Sequence, residues 1–192
     1  EFNSISVRES DGIQILKNDF GVEAVQTLDP VFLCEVEEYD TVASESKSFS
    51  NDPYIFAYIL NPTEKKRKMI YEAAEYLRLK IIILLDGQAE NKSEFSEIMG
   101  KNNVIEEVEI EEWLRLIHDA SFVITDSFHG TCFSIINQKS FITFKNKLRG
   151  NSRFESLLTT LRLNQRLIPD DEKFPKSKYH SLLDSDINYN VV

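Results

Sequence analysis

Lys80-Ile-Ile-Ile-Leu-Leu85 is the stretch that most restricts what this chain can fold into. It is too short for a buried helix and lacks polar alternation, so it predicts a strand covered on both faces. Strands of that kind belong to parallel sheets, and parallel neighbours need crossover connections. The flanking sequence supplies them. Tyr54–Leu60 reads as a second buried strand, stopped at Asn61-Pro62 because proline has no N–H for a ladder. Thr63 caps a helix to about Leu77, with Met69, Ala73, Tyr76 and Leu77 as its inner face. Asp86-Gly87 closes the Lys80–Leu85 strand. A helix over Ser93–Met99, a short strand over Val104–Val108 and a helix over Glu111–Ala120 follow, the last with Trp113, Leu114 and Ile117 inward. Then come a strand at Phe122–Thr125, a helix at Gly130–Asn137, a strand at Ser140–Phe144 and a helix capped by Asn151-Ser152. A final helix is predicted over Lys176–Leu183. This alternation implies an α/β fold, a Rossmann-like doubly wound parallel sheet.

An earlier unit precedes it. Phe2–Val7 and Val22–Leu28 read as strands around a helix whose apolar stripe is Ile13, Ile15, Leu16 and Phe20. Ser10 or Asp11 is its expected N-cap and Gly21 its stop. One strand–helix–strand unit cannot make a sheet, so it reads as the tail of a larger domain. Tyr39–Asp52 is polar and patternless, as a linker would be. The expected division is 1–30 as the last portion of a first lobe, 31–50 as linker, 51–168 as a second lobe and 169–192 as a tail. The chain starts without Met and in mid-fold, so it is expected to be a fragment.

Composition narrows the function. With 32 acidic and 22 basic residues the net charge is −10, which disfavours a broad nucleic-acid face. Two distant cysteines, Cys34 and Cys132, give neither a disulfide framework nor zinc-ligand spacing, so no metal is expected. No apolar run reaches membrane-spanning length and no signal-peptide pattern opens the chain. A cytoplasmic, reducing location is the expectation.

Three places carry candidate chemistry. The turn after Phe122–Thr125 presents Asp126, Ser127 and His129 ahead of a helix N-terminus, which suits an anion or carboxylate. His129 can exchange a proton near neutral pH. Asp126 and Ser127 could equally be mere helix caps; Gly130 would let the backbone approach a neighbour closely. Arg8 ends the first strand, where guanidinium suits phosphate or carboxylate, though a surface ion pair would explain it too. Lys145, Lys147, Arg149 and Arg153 make a basic run around Asn151 and Ser152 at another helix start. Elsewhere the bland readings prevail. Asp29-Pro30 is a strand end, Lys65–Lys68 a solvated helix face, Trp113 core, and His118 structural, while His180 lies in the tail.

The string from Trp113 to Ile136, and above all Thr125-Asp-Ser-Phe-His-Gly130, resembles the polysaccharide pyruvyl transferase family. Ile5–Gly12, Leu28-Asp-Pro30 and Asn151–Leu158 resemble it in the same order, so the likeness covers residues 1 to about 168. The resemblance implies a GT-B-like arrangement of two Rossmann-like lobes, of which this chain holds the second and the tail of the first. It implies transfer of the enolpyruvyl group of phosphoenolpyruvate onto sugar hydroxyls as a ketal in polysaccharide biosynthesis, with phosphate released and no cofactor. Arg8 would hold the donor's phosphate or carboxylate across the cleft, and His129 would be acid or base. Lys145 and Arg153 would be further anion contacts. Asp126, Ser127 and Asn151 complete the expected substrate-binding set. A sugar or lipid-linked glycan would be the other substrate, at the inner membrane face if lipid-linked.

Some relatives carry Arg where this chain has Ser127, which removes one cation; either Lys147, Arg149 or Arg153 compensates, or the donor is held differently. Two rival readings remain on the same scaffold. One is a nucleotide-sugar glycosyltransferase, with Asp86 or Glu111 gripping a ribose. The other is a non-catalytic lobe. A fragment lacking most of its first lobe is expected to turn over little.

Overall fold

The computed structural model describes residues 3–85, 92–105, 107–146, 150–169 and 174–191. Within them the chain runs β1 (Ser6–Val7), α1 (Ser10–Phe20), β2 (Val25–Gln26), α2 (Val36–Ala43), β3 (Tyr54–Ile59), α3 (Glu64–Leu77) and β4 (Lys80–Leu85). It continues with α4 (Lys92–Met99), β5 (Val104–Ile105), α5 (Ile110–Asp119), β6 (Phe122–Thr125) and α6 (Phe128–Ile136). β7 (Phe141–Phe144), α7 (Ser152–Thr160), β8 (Leu167–Ile168) and α8 (Lys176–Asp184) complete it.

Six strands form one all-parallel sheet in the order β5-β4-β3-β6-β7-β8. The order reverses between β3 and β6, so the fold is a Rossmann-like doubly wound α/β sheet with its switch point at those two strands. Alternate residues of β3 face opposite layers. Tyr54 and Phe56 join the core under α2, α5, α6 and α7. Ile55, Ala57 and Ile59 join the core under α3, α4 and α8. After the exposed Lys80, β4 is apolar throughout, as burial on both faces requires, and Ile83, Leu84 and Leu85 are buried.

Local signals explain several boundaries. The Thr63 hydroxyl accepts from the Lys66 N–H at 3.3 Å, as an N-cap should. Gly21 ends α1 at φ 65°, a left-handed conformation that glycine adopts without a Cβ penalty. The N-cap of α1 is Glu9, one residue before the Ser10 or Asp11 expected. Its apolar stripe buries nothing: Phe20 is 70% exposed. β1 and β2 pair with each other in parallel over two residues each, shorter than the predicted strands; residue 2 lies outside the described residues.

Three expectations change. The expected linker 31–50 contains α2, whose Tyr39 packs edge-on against Phe133 with ring centroids 4.8 Å apart. Val36, Tyr39 and Val42 recur at helical spacing, but acidic neighbours mask it. On α3 Met69, Ala73 and Leu77 pack on the core as expected, but Lys66 and Ile70 are buried with them and Tyr76 is 41% exposed. β8 carries too little apolar sequence to have been predicted; Arg166 beside it is buried and donates to the carbonyls of Leu182 and Ser185 at the end of α8. The Asp86-Gly87 turn lies outside the described residues.

Candidate active site

The β6–α6 turn is built from the inside out. Thr125 Oγ1 donates to the Tyr58 carbonyl at 2.7 Å and accepts from the Ser127 N–H at 3.0 Å. Ser127 is the N-cap of α6, its hydroxyl accepting from Gly130 N–H at 3.2 Å. Gly130 is required for packing rather than for ligand approach: a Cβ there would meet Thr125 Oγ1 at 2.5 Å.

Asp126 was expected to contact substrate. It is instead fully buried and occupied. Its carboxylate accepts from Leu60 N–H at 2.6 Å, Asn61 N–H at 3.0 Å, Lys66 Nζ at 2.6 Å and Asn146 Nδ2 at 3.3 Å. Lys66 also donates to the Asn61 carbonyl at 2.8 Å. The supposedly solvated Lys65–Lys68 face therefore contributes one lysine, 6% exposed at its side chain, to a buried ion pair at the switch point. That pair ties the segments following β3, β6 and β7 together. It also consumes the backbone N–H groups after β3 that would otherwise face an anion there.

His129 stands at the surface of α6, with its side chain 52% exposed. Asp29, expected to be only a strand end, sits beside it. Asp29 is 5% exposed, and its carboxylate accepts from Arg8 Nη1 at 2.6 Å and Val31 N–H at 3.2 Å. The same Oδ2 lies 4.0 Å from His129 Nε2, a charge contact rather than a hydrogen bond. Arg8 is thus joined to His129 through one carboxylate instead of facing it across a cleft. The guanidiniums of Arg8 and Arg153 lie 5.0 Å and 5.4 Å from the centre of the Phe128 ring. Such contacts hold both guanidiniums in place against the ring.

The charges shift proton affinities. Burial lowers the His129 pKa below 6.5; Asp29 works against that, and Arg8 and Arg153 add to the lowering. For Asp29, burial alone would raise the pKa, but the hydrogen bonds from Arg8 and Val31 and the nearby His129 bring it below 3.8. His129 is therefore neutral at pH 7, beside an ionised carboxylate. Cys132 on the same helix is no rival nucleophile, since burial pushes its thiol far up.

A cavity of about 690 Å³ opens beside this group, with Ser127, Phe128, His129 and Arg153 on its wall. It runs across the carboxyl edge of the sheet to Leu84 and Leu85 at the end of β4 and to Trp113 of α5. Trp113, expected as plain core, is 9% exposed and lines the cavity; its indole N–H has no hydrogen-bond partner among the described residues.

The basic run divides. Arg153 joins the site. Lys145 turns away to Glu155 at 2.5 Å, and Asn151 accepts from Asn146 N–H at 3.0 Å, bracing the loop before α7. Lys147 and Arg149 lie outside the described residues, as does Asp86. Glu111 does not line the cavity. His118 pairs with Asp119 at 2.9 Å and His180 with Glu72 at 2.7 Å, and neither lines the cavity. Asp29, Lys66 and Trp113 escaped sequence reasoning. Only Asp29 had a local signal, an Asp-Pro step whose carboxylate caps the short helical turn Pro30–Phe32.

Among the described residues no helix is long and apolar enough to cross a membrane. No curated protein matches the chain. The sequence model of the polysaccharide pyruvyl transferase family matches residues 1–147, which hold Arg8, Asp29, Asp126 and His129. With that match over most of its length, the chain belongs to the polysaccharide pyruvyl transferase family.

Proposed function

We propose that this chain binds phosphoenolpyruvate between Arg8 and Arg153 and uses His129 to move protons as the enolpyruvyl group passes to a sugar. The observation that carries the reading is the gathering of two guanidiniums on the Phe128 ring beside a half-exposed, neutral His129. Guanidinium forks match both anionic groups of the donor. Asp29 is a positioning residue: it orients Arg8 and offsets the positive field at His129.

The reaction balances with these groups. One sugar hydroxyl adds to C2 of the enol phosphate while C3 gains a proton and becomes a methyl group. The C2–O bond to phosphate breaks, and a second hydroxyl closes the ketal. Of the two hydroxyl protons released, one ends on C3 and one leaves with phosphate. Neutral His129 accepts the proton of an attacking hydroxyl, and as imidazolium it can return it. The acceptor would be a sugar of a polysaccharide precursor, lipid-linked if the reaction runs at the cytoplasmic membrane face. The exposed stripe of α1 and the isolated β1–β2 pair support the view that this chain is the second lobe, with the tail of the first, of a two-lobed GT-B-like enzyme. On that view the chain alone turns over slowly.

Phosphate release from phosphoenolpyruvate, followed with candidate glycan acceptors and the intact enzyme, tests the reading. His129→Ala should lower the rate roughly 100- to 10,000-fold. Unchanged turnover would remove His129 from the chemistry. Failure of phosphoenolpyruvate to bind would remove the donor. The nucleotide-sugar alternative gains nothing from Asp126, whose carboxylate already fills the N–H groups following β3.

A further inference from the structure

We infer that the β4 end of the cavity is the subsite for the sugar acceptor, where the exposed edge of Trp113 packs against a neutral pyranose ring and Glu109 accepts from its hydroxyls. This rests on the donor reading above.

The argument starts from length. The cavity reaches from Leu84, at the end of β4, to Arg153, at the start of α7 after β7. Between β4 and β7 lie three strand-to-strand steps in the order β4-β3-β6-β7, or about 14 Å at about 4.8 Å each. A three-carbon acid with one phosphate cannot fill that span. A volume of about 690 Å³ suits a much larger ligand or two ligands together.

The two ends also differ in charge. His129 and Arg153 stand at one, and Glu107 and Glu109 at the other. An anion held at the first is repelled from the second, so the second calls for a neutral occupant that can donate hydrogen bonds. Glu107 is already paired with Lys92 at 3.1 Å. Glu109 is the N-cap of α5; its carboxylate accepts from the Glu112 N–H in a capping box and keeps further lone pairs for a ligand's hydroxyls. Trp113 follows one turn on, and both residues line the cavity. The indole is clamped edge-on by Tyr58 and Phe133, with ring centroids 5.7 Å and 5.1 Å away. The exposed edge of a rigid indole beside a carboxylate fits the C–H face and hydroxyl rim of a pyranose. Donor and sugar then occupy one cavity together, and transfer is direct.

Trp113 is the chain's single tryptophan, so its fluorescence reports on this end alone. The chain is titrated with methyl glucoside, galactoside and mannoside, with and without saturating phosphoenolpyruvate. Calorimetry follows phosphoenolpyruvate separately. At least one pyranoside should give a saturable change that survives the donor's presence. Glu109→Gln should weaken that pyranoside about tenfold and leave phosphoenolpyruvate affinity unchanged. Trp113→Phe, which keeps an aromatic ring at the site, should do the same by calorimetry. The assignment is overturned if phosphoenolpyruvate displaces the pyranoside, if either variant weakens the donor instead, or if the donor binds and no pyranoside does. Pyranoside binding without donor binding would sink the donor reading and leave this subsite standing.

Discussion

Replacing Asp126 with Asn tests whether the switch point is held by a buried charge. The side chain keeps its shape and loses its charge. If the new amide nitrogen takes the Oδ2 position, it meets three donors: Asn61 N–H, Lys66 Nζ and Asn146 Nδ2. At the Oδ1 position it meets only Leu60 N–H. The second orientation is the cheaper, and it still leaves a buried donor unmatched, worth about 1–3 kcal/mol. It also strips Lys66, 5% exposed, of its counter-charge. Together these place the loss at about 3–5 kcal/mol, the range for breaking one side of a buried pair. For a chain of this size that lowers Tm by about 6–20 °C. Lys66→Met strands the carboxylate and should cost a similar amount. The double variant should cost less than the sum by at least about 1 kcal/mol, because each single change leaves the other partner uncompensated. Urea unfolding followed by circular dichroism measures all four proteins, and the coupling should persist in high salt because the pair is shielded from solvent. If Lys66→Met changes stability by less than about 0.5 kcal/mol, as an exposed helix lysine would, the pair does not hold the turn.

Further outcomes follow from the same geometry. By NMR titration His129 should ionise below 6.5, further below in Asp29→Asn and less far below in Arg153→Gln, since the carboxylate raises its pKa and the guanidinium lowers it. Gly130→Ala should cost about 1–3 kcal/mol through overpacking on Thr125, and adding Thr125→Ala should recover part of it, read from unfolding midpoints. Glu72 is held below 4.5: burial opposes this, but hydrogen bonds from His180 and Lys176 outweigh it. A depressed carboxylate lends stability above its unfolded pKa that is lost as pH falls through its folded value. Acid unfolding below about pH 4.5 should therefore be shallower in Glu72→Gln, because a lost ionisation removes its share of the slope.

The sheet was legible because its signals are local. Lys80–Leu85 and Phe122–Thr125 are strands at the residues expected, and Thr63 caps α3 where its side chain can reach back. The site was legible only in part. His129 and Arg153 announce themselves by residue type beside a helix start. Lys66 does not, because its meaning depends on a carboxylate 60 residues away. Asp29 depends likewise on Arg8, 21 residues earlier, and on His129, a hundred residues later. Lys145 and Asn151 carried the right chemistry, but nearer partners, Glu155 and Asn146, claim them. Sequence reveals which groups can bind an anion. Which of them are already spoken for is decided by tertiary neighbours.

Asp29 and Arg8 belong to the strand–helix–strand unit at the start of the chain, while His129 and Arg153 belong to the six-stranded sheet and its helices. Among the described residues the hydrogen bonds that hold the two parts near this point are few: Ser10 N–H and Ser10 Oγ to Ser156 Oγ at 3.0 Å and 3.1 Å, and Ser152 Oγ to Glu9. The proton affinity of His129 is therefore a gauge of docking. Drawing the unit away would remove a carboxylate that favours the imidazolium and a guanidinium that opposes it in a single motion. The histidine's resonance would then register how closely the two parts are seated, before any substrate is turned over.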